Sequence, residues 1–489
     1  MTYDAVIIGA GLGGLTAAAI LARAGRKVLL IERSNSVGGA ASSYKAGDLF
    51  VEGSLHETSN PQDPRDPKHD ILKRAGVLDA VTWVPAGALY QVRGGPLDAP
   101  LTLPDNLDAA LKTLSARFPD AQGAITALLS ELATASQAKP PDQTTLAQRF
   151  DRAFGGNEAL KCAVAANLWY SHDDPKTLWW PVFAALQGAL LTNGVRFIQG
   201  GSQRLSSALA RAARAAGGQV MVRRIATRID MSARGGAAVT HAAKDGGDPQ
   251  TVPAKHVIGS ASIEAIAELL PQADAARLRQ HGAGRRPSIS LFALTLGLSK
   301  PPRTFGVSAY STQLLPPWMT RLDQYAEGTA LMAQEPDQSP GERMPPLSVV
   351  DYAAIASGIP APPFVLSVIG PDRLSNWDSD DMDAYREKRA RWQDAIVRYL
   401  DSIWPGVADA VIASSFNTAL SVRQYLNAPT GAVYGYAPCP PSPGMSPPTP
   451  RTAIPGLYLS SSYGGFGGYT GAITAGGACA DLIIGEASR

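Results

Sequence analysis

Six residues near the start constrain this chain more than any other feature. Gly9-Ala10-Gly11-Leu12-Gly13-Gly14 follows a short apolar run, Tyr3 to Ile8, and satisfies GxGxxG at positions 9, 11 and 14. An alanine-rich helix is expected from Leu15 to Ala24, with Gly25 as its stop. A second strand over Lys27 to Ile31 then leads into Glu32. Strand, glycine turn, helix, strand and acid within about thirty residues is the pattern of a dinucleotide-binding unit. Gly9 permits the tight turn, Gly11 lets backbone approach a pyrophosphate, and Gly14 lets helix lie on strand. The helix N-terminus offers N–H groups and a positive dipole end to the phosphates, and Leu12 and Gly13, in the turn before it, are cofactor candidates with the glycines. Glu32 can accept hydrogen bonds from ribose hydroxyls and would repel a 2′-phosphate. The bland alternative, a glycine turn in an unrelated α/β unit, does not account for the acid at the end of the second strand.

The residues that follow separate the possible dinucleotides. Glu32-Arg33 is followed by Gly38-Gly39 and then Ala40-Ala41. This ER-x4-GG extension resembles FAD-binding oxidoreductases of the amine oxidase and phytoene desaturase superfamily. Many of those carry Arg or Lys where Ala40 and Ala41 stand, and the neutral pair leans towards carotenoid isomerase-like and retinol saturase-like branches. Near the far end, Ile454 to Cys479 reads IPGLYLSSSYGGFGGYTGAITAGGAC: a strand (Leu457 to Leu459), a glycine-rich loop and a small-residue helix beginning near Thr470. The resemblance makes this the flavin segment, with Ser462, Tyr469, Thr470, Gly471 and Ala472 at the cofactor. Ser462 stands where many relatives have an acid. Between the ends, Gly200-Gly201-Ser202-Gln203 and the strands from Gln219 to Ile229 resemble the chain's return into the flavin domain. Ala226 would there grip adenine through its backbone, and Ser260 would close the strand His256 to Ser260.

The resemblance implies an α/β fold: a Rossmann-type FAD-binding domain (GR2-like) with an inserted mixed β-sheet plus helical substrate domain. Its expected boundaries are 1–70, 196–262 and 451–489 for the FAD-binding parts, and 71–195 and 263–450 for the substrate parts. Residues 70 to 200 read as mostly helical. Strands are expected at Ser288 to Leu298 and Phe364 to Ile369, an amphipathic helix over Arg386 to Trp404, and a proline-rich loop over Ala437 to Pro450. A second GxGxxG does not occur, so a separate NAD(P)H domain is not expected. Electrons would pass through substrate, oxygen, a quinone or an external reductant.

Composition sets outer limits. The 489 residues suffice for two or three packed cores. With 44 basic against 42 acidic side chains, the formal charge of +2 is too balanced for a nucleic-acid partner held by counterion release. Only 18% of residues are charged, which points to large apolar surfaces. Three spaced cysteines and six histidines show neither CxxC nor HExxH, so no metal is expected. No basic n-region and apolar h-region opens the chain, and no run of about 18 apolar residues occurs, so the expected location is cytoplasmic.

A lipophilic small-molecule substrate is what the resemblance implies. Trp169 and Trp180 lie on low-charge helices, and core packing, a hydrophobic substrate entrance or a peripheral membrane contact are the three readings of that group. Tyr463 and Phe466, in the flavin loop, are the other substrate-lining candidates. His56 and Glu57 follow the double glycine closely and are the acid–base candidates, with loop positioning as the alternative. The leading expectation is desaturation, saturation or isomerisation of C–C and C=C bonds in a polyene, isoprenoid or related natural product. An amine oxidase is the rival, although Ser288 to Leu298 carries no lysine to stand over the flavin. A non-catalytic lipid-binding escort protein is the remaining alternative.

Overall fold

The computed structural model describes residues 2–53, 56–135, 143–232, 236–337, 339–377, 379 and 381–486. The opening strand β1 (Tyr3–Ile8) sits between two parallel neighbours, β2 (Val28–Ile31) and the strand Gln250–Gly259. Gln219–Met221 extends the parallel sheet beyond β2, and Leu457–Leu459 extends it beyond the end of Gln250–Gly259. The other half of Gln250–Gly259 turns into an antiparallel meander with Ala237–Ala243 and Arg224–Met231. Three separate stretches of chain therefore build one sheet. Strand β2, inside this sheet, is buried along its whole length, as a parallel strand covered on both faces must be.

Helix α1 (Leu12–Arg23) is buried all round from Leu12 to Ala22, and its sequence is accordingly apolar on every face. It lies against the helix Gln203–Ala215 and the terminal helix Gly468–Glu486. The second contact depends on small residues: a Cβ on Gly476 would come within 2.3 Å of the Gly13 carbonyl oxygen. The expected start near Thr470 thus falls two residues inside the observed helix.

The second unit is a seven-stranded sheet in the order Val411–Asn417, Ser290–Leu298, Phe364–Asp372, Leu347–Asp351, Ser311–Leu315, Tyr90–Gly94, Leu101–Leu103. Neighbours are antiparallel except Ser311–Leu315 with Tyr90–Gly94. Helix Met382–Ile403 buries Trp392 and Tyr399 in one core of this unit, and helices between residues 107 and 193 build the other. A small sheet of Thr58–Ser59, Val195–Ile198 and Trp83–Pro85 joins stretches from either side of residues 70 and 195. The passage between the units is thus hydrogen-bonded structure, not a bare linker.

Candidate functional site

The glycine turn after β1 is packed to its limit everywhere except at Gly11. A Cβ on Gly13 would lie 1.5 Å from the Ser460 carbonyl oxygen, and one on Gly14 would lie 2.4 Å from that of Gly9. At Gly11 the nearest atom would be Ser260 Oγ at 3.5 Å, and φ −68° with ψ 170° suits any residue. The protein's own packing therefore does not require glycine at position 11, and the bare backbone there is room for a ligand. Ser260 shapes the same turn, its Oγ accepting from the Gly14 amide at 2.9 Å. Among the described residues the amides of Leu12 and Gly13 make no hydrogen bond, as an anion site at a helix start requires.

The other cofactor candidates gather around this turn. Glu32 is buried at the end of β2, one carboxylate oxygen accepting from the Ala10 amide at 2.7 Å and the other from the Ser34 amide at 2.7 Å. Each oxygen keeps a lone pair for a ribose hydroxyl. Gly38 pairs with Gly11 as an isolated bridge, and the Cα of Gly11 lies 3.2 Å from where a Gly39 Cβ would be. Positive φ at Gly38 and Gly39 turns the chain there. The helix Gln203–Ala215 fastens this turn: Ser206 Oγ donates to the Ala41 carbonyl at 2.7 Å, and Gln203 Nε2 to that of Val37 at 2.9 Å. The Ala40 carbonyl accepts from the Ser42 amide. Ala226 lies on Arg224–Met231 at a register shift, two residues past the Arg224 amide that donates to the Glu32 carbonyl. Arg33 instead reaches across to the carbonyls of Gln424 and Tyr425, so its side chain clamps the neighbouring unit.

The start of the terminal helix closes the cradle. The carbonyl oxygen of Ala472 lies 3.0 Å from the Gly13 Cβ position, so the two helix N-termini abut. Gly471 is required there, because a Cβ would come within 2.0 Å of the Phe466 carbonyl. Ser462 lies on the preceding loop, its carbonyl 2.7 Å from the Gly435 Cβ position. The buried hydroxyl of Tyr469 has no hydrogen-bond partner among the described residues. Lys68, which the sequence did not single out, is fully buried and donates to Thr470 Oγ1 at 3.2 Å.

Two residues before Ser59, whose hydroxyl shares the Lys68 ammonium with Thr470, Glu57 enters a buried polar cluster drawn from both units. Tyr170 donates its hydroxyl to Glu57 Oε1, while Oε2 is buried without a hydrogen bond among the described residues. Burial pushes the Glu57 carboxyl up to about 8, outweighing the Tyr170 contact. His56 Nδ1 meets the Tyr352 hydroxyl at 2.7 Å, and Tyr310 donates to the His56 carbonyl. Burial drives His56 down to about 3, so the ring is neutral near pH 7. Trp169 stands edge-on to Tyr170, with ring centroids 4.6 Å apart, and its Nε1 donates to Gln313 Oε1 at 3.2 Å. Tyr310 and Tyr352 were not legible as site residues, since each comes from the second unit and neither lies in a motif.

The four substrate candidates part company. Trp169 joins the cluster. Trp180 packs in the helical core against Phe150 and Phe183, with its Nε1 on Glu131 at 2.6 Å. Tyr463 stands edge-on to Tyr436, with centroids 5.0 Å apart, beside the outer core of the parallel sheet. Phe466 is 45% exposed on the glycine loop. None of the seven strands of the second sheet carries a lysine. Among the described residues no group of three His, Cys, Asp or Glu could hold a metal ion, and no helix is long and apolar enough to cross a membrane.

The open backbone at Gly11, the unpaired helix-start amides and the anchored Glu32 fit the pyrophosphate and ribose of FAD, and the terminal helix fits its ring edge. FAD, when bound, accepts or delivers a hydride at its N5. The family model of flavin containing amine oxidoreductases matches residues 12–484. In sequence, a stretch of 94 residues is 32% identical to the all-trans-retinol 13,14-reductase of Macaca fascicularis, covering 18% of this chain and only 14% of that relative. In structure, an oxidoreductase from Methanosarcina mazei superposes with a TM-score of 0.67 at 17% identity, covering 99% of this chain and 100% of its own. The cyclohexylamine oxidase of Brevibacterium oxydans IH-35A superposes with a TM-score of 0.61 at 17% identity over the whole of both chains. This chain, an FAD-dependent oxidoreductase, belongs to the family of flavin containing amine oxidoreductases.

Proposed function

We propose that the chain moves a hydride between FAD and a carbon skeleton, saturating, desaturating or isomerising a lipophilic polyene, isoprenoid or related natural product. The observation that carries this reading is the neutrality of the buried cluster. Near pH 7 Glu57 is held as the acid and His56 as the neutral ring, among the hydroxyls of Tyr170, Tyr310 and Tyr352. Such a wall suits an uncharged substrate, because a buried charge without a partner is costly. In saturation, the hydride goes to one carbon of the double bond and the Glu57 proton to the other. In desaturation both leave by the same routes. His56, tied to Tyr352, serves as a positioning residue for the segment that carries Glu57. Oxygen, a quinone or an external reductant exchanges electrons with the flavin afterwards, and contact with a membrane surface would deliver a lipophilic substrate.

Amine oxidation is the second reading, favoured by one observation: Glu57 lies among aromatic rings, an environment that also suits an amine. The two readings separate by experiment. FAD-loaded protein is mixed anaerobically with all-trans polyenes, with isoprenoids and with primary amines, and flavin absorbance and product mass are followed. The proposal expects polyene or isoprenoid turnover with products differing by one H2, or isomerised. Bleaching by amines alone, with carbonyl products, would overturn it.

A further inference from the structure

We propose that Lys68 sets the redox poise of the bound flavin through Thr470. By donating into one lone pair of the Thr470 oxygen, the buried ammonium turns that hydroxyl's hydrogen away from itself, towards the negative charge that the flavin's pyrimidine edge takes up on reduction. The inference rests on family membership and on this cradle, and it holds whichever substrate class is used.

Lys68 stands in a stretch, Asn60 to Asp70, rich in prolines and charges. Yet the side chains of Lys68 and Asp66 are both 0% exposed and paired at 2.9 Å. Taking two such ions out of water is costly and stabilises a fold poorly. Each ammonium hydrogen has a partner: Asp66 Oδ2 at 3.1 Å, Ser59 Oγ at 2.7 Å, and Thr470 Oγ1 at 3.2 Å. Burial pulls the ammonium below the usual lysine range, and the Asp66 carboxylate opposes that pull. Asp66 is itself fixed, by the Lys68 amide at 2.9 Å and by Asn193 Nδ2 at 3.4 Å.

The third contact is the informative one. Thr470 lies in the first turn of Gly468–Glu486, at the positive end of a 19-residue helix. The Asp66 carboxylate offsets the lysine's charge at that end, which leaves the contact to Thr470 as an oriented hydrogen bond. With Lys68 donating into Thr470 Oγ1, the hydroxyl hydrogen must point elsewhere. The same helix turn abuts the glycine turn at Gly13, so a dinucleotide lying on that turn brings its ring past Thr470. A donor preset at the site where charge develops favours the charged state without reorganisation.

The test is the two-electron midpoint potential of the FAD-loaded protein, measured by equilibration with reference dyes, together with the affinity of apoprotein for oxidised FAD. Thr470→Val and Lys68→Met are each expected to weaken reduced relative to oxidised flavin about tenfold, a fall of about 30 mV for a two-electron couple. Thr470→Ser keeps the wild-type potential. The double variant Lys68→Met/Thr470→Val shifts no further than either single one, because Lys68 acts through Thr470. Affinity for oxidised FAD stays within a few-fold throughout. Should Lys68→Met fail to fold around its unpaired aspartate, Lys68→Met/Asp66→Asn, which removes both charges together, takes its place with the same expected fall. An unchanged potential in Thr470→Val, or a fall equally large in Thr470→Ser, would overturn the proposal.

Discussion

The hydroxyl of Tyr170 donates to the buried carboxyl of Glu57, whose other oxygen has no hydrogen-bond partner among the described residues. Burial holds that acid protonated to about pH 8, against an ordinary value of 4.5. The hydrogenating direction should therefore fall as pH rises through about 8, and the dehydrogenating direction should rise there. Glu57→Gln should remove that inflection and slow the flavin-coupled step about 10²-fold, measured by stopped-flow absorbance.

The same group makes stability depend on pH. Between 4.5 and about 8 the unfolded chain binds fewer protons at Glu57 than the folded one, so stability falls as pH rises through that window. His56 acts at the other end. Folded, it gives up its proton down to about 3 against 6.5 unfolded, so stability falls on acidification below 6.5. Denaturant midpoints across pH should show a maximum between these limbs, and Glu57→Gln should flatten the alkaline one.

Gly11 and Gly13 separate ligand room from protein room. Gly11→Val should leave the apoprotein's melting temperature unchanged and abolish FAD binding, because the protein atom nearest the new Cβ, Ser260 Oγ, would lie at an ordinary contact distance of 3.5 Å. Gly13→Ala should destabilise the apoprotein by about 3 kcal/mol or more, since its Cβ would overlap the Ser460 carbonyl oxygen at 1.5 Å. Thermal melts with and without FAD read both outcomes.

Trp169 and Trp180 should also behave differently. Trp169→Phe removes the Nε1 contact to Gln313 beside Glu57, and should change KM or kcat with little loss of stability. Trp180→Phe removes the Glu131 contact within the helical core, and should cost about 1 kcal/mol of stability with kinetics unchanged. Steady-state kinetics paired with urea unfolding distinguish the two.

Local elements were legible because their causes are local. The turn from Gly9 to Gly14, Glu32 and the strand Leu457–Leu459 follow from glycine spacing and apolar runs that need no distant partner. Lys68 was hidden because its surroundings are charged and proline-rich, and distant elements, the strand at Ser59 and the terminal helix at Thr470, supply its partners. Tyr310 and Tyr352 were hidden for the same reason: sheet pairing far along the chain brings them to His56. Arg33, adjacent to the fingerprint acid, belongs to the motif, and only the fold shows that its side chain donates to the carbonyls at 424 and 425. Trp180 and Trp169 look alike in sequence. Only the fold separates the one packed on Phe150 from the one beside Tyr170.

The most direct measurement is the flavin content of the purified chain, read from its visible spectrum and from cofactor released on denaturation. One FAD per chain, retained through purification or taken up by the apoprotein and lost in Gly11→Val, is the expected result. A chain that folds, melts cooperatively and neither carries nor takes up FAD would contradict the account at its centre.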